Sequence, residues 1–143
     1  MDIHFSSKTD LWYTPRDFFD KLNRIYSFDL DPCATHENAK CEMYFTKEQD
    51  GLKQDWSGHK VFMNPPYGRV IKDWMKKAYE SSLNGALVVC LVLARTDTFW
   101  WHEYAMKGRI EFIRGRLKFG GCDNAAPFPS AVVVFGADMN SNI

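Results

Sequence analysis

The run Ala86-Leu87-Val88-Val89-Cys90-Leu91-Val92-Leu93 limits the fold more than any other stretch of the chain. It is apolar throughout, rich in β-branched residues and far too short to span a membrane, so it describes a strand buried on both faces. Such strands sit inside parallel sheets with helices on either side. The flanking pattern agrees. Thr14-Pro15 opens a helix, with Thr14 as its N-cap and Pro15 at the first helical position, and Phe18, Phe19, Leu22, Ile25 and Tyr26 then recur at helical spacing. Phe28-Asp29-Leu30-Asp31 reads as a short strand stopped by Pro32, Glu37–Cys41 as one helical turn, and Met43–Thr46 as a second strand.

Lys47–His59 is polar, with turn chemistry at Asp50-Gly51 and Ser57-Gly58, and is expected to be mostly loop. Lys60–Met63 is a strand. Val70/Ile71, Trp74/Met75, Ala78/Tyr79 and Leu83 form the buried stripe of a helix from Arg69, which Asn84-Gly85 ends in a left-handed cap. Asp97–Lys107 reads as a further helix, Ile110–Ile113 and Leu117–Phe119 as short strands, Gly120–Ser130 as a loop, and Ala131–Phe135 as a last buried strand. The alternation predicts an open α/β fold, a mostly parallel sheet with helices on both faces. Its final strands are joined by turns, so a C-terminal edge should be antiparallel. Residues 1–143 fit one domain with a loose Met1–Asp10 segment.

Ligands of such sheets sit beyond the carboxyl ends of the strands, which gathers Asp29–Ala34, Asn64–Tyr67 and Arg95-Thr96-Asp97 at one rim. Asp97 has the simpler alternative of capping its helix. At Asn64-Pro65-Pro66-Tyr67-Gly68 the two prolines hold Asn64 and Pro65 in extended geometry, free of helix or ladder. The Asn64 amide oxygen and the Pro65 carbonyl become stiff acceptors beside the Tyr67 ring. That shape suits a planar ring bearing an amine. Asn, Pro and Gly also gather at strand-to-helix turns for backbone reasons alone, but the position after a strand and before a helix favours a site.

Net charge is zero, which argues against a strongly basic nucleic-acid binder, yet residues 1–59 carry 7 Lys/Arg against 11 Asp/Glu and residues 60–143 the reverse. Arg109, Arg114, Arg116 and Lys118 dominate the second half, an arrangement suited to a cationic cofactor at one place and a polyanion at another. The cysteines Cys33, Cys41, Cys90 and Cys122 form no C-x-x-C pair. Cys33, His36 and Cys41 lack a fourth ligand at zinc spacing, so reduced thiols and no metal are expected. With neither a membrane-length apolar run nor a signal pattern, a cytoplasmic protein is expected.

The chain resembles the small phage-type, Dam-like DNA N6-adenine methyltransferases. The blocks that carry the likeness are Trp12-Tyr13-Thr14-Pro15, Phe28-Asp29-Leu30-Asp31-Pro32-Cys33-Ala34, Asp50-Gly51-Leu52, Asn64-Pro65-Pro66-Tyr67-Gly68, Ala94-Arg95-Thr96-Asp97-Thr98 with Trp100-Trp101-His102, Gly115-Arg116-Leu117-Lys118-Phe119 and Ala126-Pro127-Phe128-Pro129-Ser130. The resemblance implies a Rossmann-like class I methyltransferase fold that uses S-adenosylmethionine. It implies that Asn64, Pro65, Pro66 and Tyr67 form the catalytic motif, with Tyr67 stacked on a flipped-out base. Cofactor contacts would come from Trp12, Thr14 and Pro15 near the methionine end, from Asp29, Asp31 and Pro32, from Asn64, and from either Asp50 or Asp55 beside the adenine ring. The usual Gly-rich turn after the first strand is missing, and Asp31-Pro32-Cys33-Ala34 takes its place.

For duplex DNA, Arg95, Arg114, Arg116 and Lys118 would supply the contacts. No separate target-recognition domain fits, so sequence preference is expected to come from short loops or a homodimer, or to be weak. The expected setting is a bacterial host cell, with the gene carried by phage or prophage. Other methyltransferases with the same four-residue motif act on RNA adenine or protein glutamine, and a catalytically silent nucleic-acid-binding domain is the alternative of a different class.

Overall fold

In the computed structural model, residues 12–120 and 125–136 are described. The expected loose segment Met1–Asp10 and part of the Gly120–Ser130 loop lie outside them. Helix α1 (Arg16–Tyr26) leads into two-residue strands β1 (Leu30–Asp31) and β2 (Met43–Tyr44), then β3 (Lys60–Met63), α2 (Ile71–Leu83) and β4 (Leu87–Leu93). A short α3 (Phe99–Glu103), β5 (Arg109–Phe112) and β6 (Ser130–Phe135) complete the order. The strands form one sheet in the order β2-β1-β3-β4-β6-β5. From β2 to β4 every pairing is parallel, and β6 runs antiparallel to both β4 and β5. This is a mixed α/β sheet flanked by helices.

All seven residues of β4 are buried, and from Leu87 to Val92 they alternate between the two faces. Val88, Cys90 and Val92 pack with Ile71, Trp74 and Met75 of α2 and with Trp100 and Trp101 of α3. Leu87, Val89 and Leu91 pack with Phe19, Leu22 and Tyr26 of α1 and with Phe119. Burying such a side chain contributes roughly 1.5–3 kcal/mol, so a polar residue anywhere in β4 would be disruptive.

Several local expectations are corrected. Thr14 does not cap α1; Pro15 occupies the N-cap position, with no side-chain cap, and Ile25 is exposed. Thr98 rather than Asp97 caps α3, its hydroxyl accepting from the Trp101 N–H at 3.3 Å. The expected Asp97–Lys107 helix breaks after Glu103 into a separate turn of 3-10 helix at Ala105–Lys107. Leu117–Phe119 is not a strand; the neighbouring Gly120 instead forms an isolated bridge with Tyr13. The expected Lys47–His59 loop contains a 3-10 turn at Gly51–Lys53. Gly85 does take the left-handed conformation, at φ 98°. Among the described residues no helix is long and apolar enough to cross a membrane.

Candidate active site

The chain passes from β1 outward to β2 and then crosses back to place β3 on the other side of β1, so the sheet changes direction between β1 and β3. Open α/β sheets bind ligands at such a point, beyond the strands' carboxyl ends. A cleft of about 680 Å³ lies there, a size usual for small-molecule and cofactor sites. Its walls come from Trp12–Thr14, the β1–β2 connection (Asp31–Ala34 and Lys40), the turn at Asp50–Leu52, and Asn64–Pro66. Trp74 of α2 and Val70 add apolar surface.

Asn64 follows β3 directly. Its Nδ2 donates to the Trp12 carbonyl and to Thr14 Oγ1, the latter at 3.0 Å. A main-chain carbonyl can only accept, so this pairing fixes which end of the amide is nitrogen. The other end, Oδ1, is buried and has no hydrogen-bond partner. Pro65 and Pro66 continue the cleft wall. Tyr67 does not. It is 3% exposed, its hydroxyl donates to the Leu91 carbonyl at 3.2 Å, and Phe119 and Phe128 meet its ring edge-on. Burial holds its phenol protonated, well above the usual range. The expected stacking face is therefore absent from the cleft, and Tyr67 anchors the turn to β4 instead.

Asp31, at the end of β1, is 5% exposed and accepts from the Cys33 N–H at 3.3 Å and the Lys40 N–H at 3.0 Å. Burial raises its pKa, while those two N–H bonds and the Lys40 charge pull it back. Asp29 is not brought to the cleft. Strand β1 starts only at Leu30, so Asp29 lies at its amino end, where its carboxylate accepts from the Lys60 N–H at 3.0 Å and lies 3.1 Å from His59 Nδ1. It opens onto a separate hollow with Phe28, Met43 and His59. Pro15 is likewise absent from the lining; its carbonyl accepts from Phe19 at the start of α1.

Between the two acids that sequence left open, Asp50 lines the cleft and Asp55 does not. Asp50 sits at φ 57° and accepts from the Leu52 N–H at 3.1 Å. Asp55 is exposed, and the Ser57 hydroxyl together with the Ser57 N–H, which donates to it at 2.9 Å, lowers its pKa. Beside Asp50, Gly51 packs so tightly that a Cβ there would lie 2.2 Å from the Pro32 carbonyl oxygen.

None of Arg95, Arg114, Arg116 and Lys118 lines the cleft, and all four are exposed. The basic segment nevertheless abuts it. The Gly120 N–H donates to the Tyr13 carbonyl at 2.8 Å, and Trp12 packs edge-on against Phe119 and Phe128 at 5.6 and 5.2 Å between ring centroids. Arg116 Nη1 donates to the Ala126 carbonyl at 3.3 Å. Among the described residues no cluster of His, Cys, Asp or Glu could hold a metal ion. Sequence reasoning missed Lys40, Val70 and Trp74 as lining residues. Lys40 lies in a polar connection without a motif, and the helical stripe reads both Val70 and Trp74 as core.

The family model for DNA N-6-adenine-methyltransferase (Dam) matches residues 4–135 of the chain. The DNA N-6-adenine-methyltransferase of Escherichia phage T1 is 33% identical over 131 residues, covering 74% of this chain and 55% of that protein. The protein of the same name from Haemophilus phage HP1 (strain HP1c1) is 35% identical over 118 residues, covering 75% of this chain and 68% of that protein. The chain thus spans about half the length of the phage T1 relative and about two thirds of the HP1 relative.

Proposed function

The chain belongs to the DNA N-6-adenine-methyltransferase (Dam) family, and on that premise we propose that it transfers the methyl group of S-adenosylmethionine to N6 of a flipped-out adenine in duplex DNA, at a preferred sequence. One observation carries this reading: Asn64 lines the cleft with Nδ2 held by two acceptors and a buried Oδ1 that has no partner. Leaving such an acceptor unsatisfied costs roughly 1–3 kcal/mol, which a ligand amine would recover. The sheet order and its switch point support a Rossmann-like class I methyltransferase fold.

The lining residues fit the cofactor. Asp31 and Asp50 offer carboxylates to a molecule bearing an ammonium, a sulfonium and ribose hydroxyls, and Pro32, Leu52 and Trp74 offer apolar surface for its adenine. When bound, S-adenosylmethionine supplies an electrophilic methyl group. Trp12 and Thr14 act on Asn64, holding its amide so that Oδ1 stays an acceptor. Together with the Pro65 carbonyl, Oδ1 accepts the two N6 hydrogens of adenine and turns the nitrogen lone pair out of the ring. As that nitrogen is alkylated, positive charge grows on it, and two fixed carbonyl dipoles stabilise the charge without reorganising. The alkylated nitrogen is acidic enough to lose its proton afterwards, so no strong general base is needed.

Arg114, Arg116 and Lys118, with Arg95 past the end of β4, take DNA phosphates. In this reading the sheet and its loops act as one catalytic unit on phage or prophage DNA in the host cytoplasm, with a second copy of the chain as an added source of duplex contacts. Incubation with methyl-labelled cofactor and unmethylated duplex, followed by digestion to nucleosides, should place label in 6-methyladenine. Label in RNA or in protein glutamine, or in nothing, rejects the proposal.

A further inference from the structure

We propose that Lys40 is the carboxylate-binding residue of the cofactor site, so that Asp31 and Lys40 together receive the two charged groups of an α-amino acid. The inference rests on the methyltransferase reading and deepens it, because neither composition nor motif assigned Lys40 a role.

Among the described residues, two cations line the cleft, Lys40 and Lys47. Lys47 is exposed, whereas Lys40 is half-buried. The Lys40 ammonium has one hydrogen-bond partner among the described residues, the Asn38 carbonyl at 3.2 Å, out of three donors. Among the described residues no carboxylate lies within 4.0 Å of it; the ion pairs there are Arg16–Asp20, His59–Asp29 and Lys107–Glu103. Burial lowers the pKa of this half-buried ammonium, and the Asp31 charge offsets that only in part, so a cation with no direct ion pair among the described residues gains from an anion delivered into the cleft.

The chain holds an acid beside it. The Lys40 main-chain N–H donates to Asp31 Oδ2 at 3.0 Å, so the connection that carries the ammonium also holds the carboxylate. An acid and a base fixed on one short connection match the ammonium and carboxylate of an α-amino acid. A DNA phosphate would use the cation and be repelled by Asp31. Lys40 is moreover among the residues that line the cleft, whereas the exposed Arg95, Arg114 and Arg116 lie outside it.

The test compares S-adenosylmethionine with its decarboxylated form, which keeps the sulfonium and the amine. Dissociation constants are measured by calorimetry on the full chain and on Lys40→Met, whose backbone N–H still serves Asp31. Wild type should prefer S-adenosylmethionine by about tenfold or more, the usual worth of a charged hydrogen bond. Lys40→Met should lose that preference while its affinity for the decarboxylated form stays within about twofold. Lys40→Arg should retain most of the preference, which separates charge from packing.

An unaltered preference in Lys40→Met overturns the assignment, as does equal weakening of both ligands. Unchanged cofactor binding with a shallower salt dependence for DNA also overturns it, giving Lys40 to a phosphate. If wild type binds both ligands with equal affinity, this inference fails and the methyltransferase reading stands. If wild type binds neither, the methyltransferase reading fails first.

Discussion

The Thr14 hydroxyl lies 3.0 Å from Asn64 Nδ2 and is buried, so it acts on the motif rather than on the helix it precedes. Thr14→Val keeps the shape and removes the acceptor, leaving the Asn64 amide held by the Trp12 carbonyl alone. One neutral hydrogen bond lost from a positioned catalytic group should lower kcat about tenfold. The cofactor KM should move less, and Thr14→Ser should restore the rate. A KM effect that Ser does not rescue would assign Thr14 to packing or to direct cofactor contact. Asp31 makes a second residue-scale prediction. Its native pKa is raised above the ordinary 3.8 by burial, so the native state holds the proton more tightly than the unfolded state. Between those two pKa values stability therefore falls as pH rises, and above them the penalty is constant. In urea titrations wild type should lose stability relative to Asp31→Asn on passing upward through that window, and a difference that grows in the opposite sense would contradict it.

At the scale of elements, the cleft is built from connections, and their fit depends on Gly51. A methyl group there would meet the Pro32 carbonyl oxygen at 2.2 Å and the Trp74 ring at 3.0 Å, so Gly51→Ala must separate the β1–β2 connection from the Asp50–Leu52 turn. Overpacking of this kind costs about 1–3 kcal/mol. We expect that loss in denaturant unfolding, together with weaker cofactor binding; a variant of wild-type stability would mean the walls can part freely. Here the limits of sequence reading are physical. The apolar β4 run and the Asn64-Pro65-Pro66 break were legible, because burial on both faces and proline sterics act within a few residues. The two-residue β1 was not, so Asp29 fell at the amino end of the strand instead of the rim. Tyr67 looked available for stacking because nothing local reveals the Leu91 carbonyl that takes its hydroxyl. Thr14 looked like a cap because its partner, Asn64, is fifty positions away.

Over the whole molecule, the acidic and basic halves seen in the sequence become distinct places: the buried Asp31 and half-buried Asp50 in the cleft, and the exposed Arg114, Arg116 and Lys118 beside its rim. Neutralising Arg114 and Arg116 together should weaken binding to all duplexes alike and reduce the salt slope by about two. An unchanged slope would place the phosphates elsewhere. The alternation of strands and helices made the α/β class legible, while the tie of the basic segment to the cleft, through Gly120 and Tyr13, is a long-range pairing that no local pattern encodes. The most direct test of the account is cofactor affinity and turnover measured side by side on Asn64→Ala. Binding of S-adenosylmethionine should stay within about threefold of wild type while kcat on duplex DNA falls about a hundredfold or more. Turnover near the wild-type rate would contradict it.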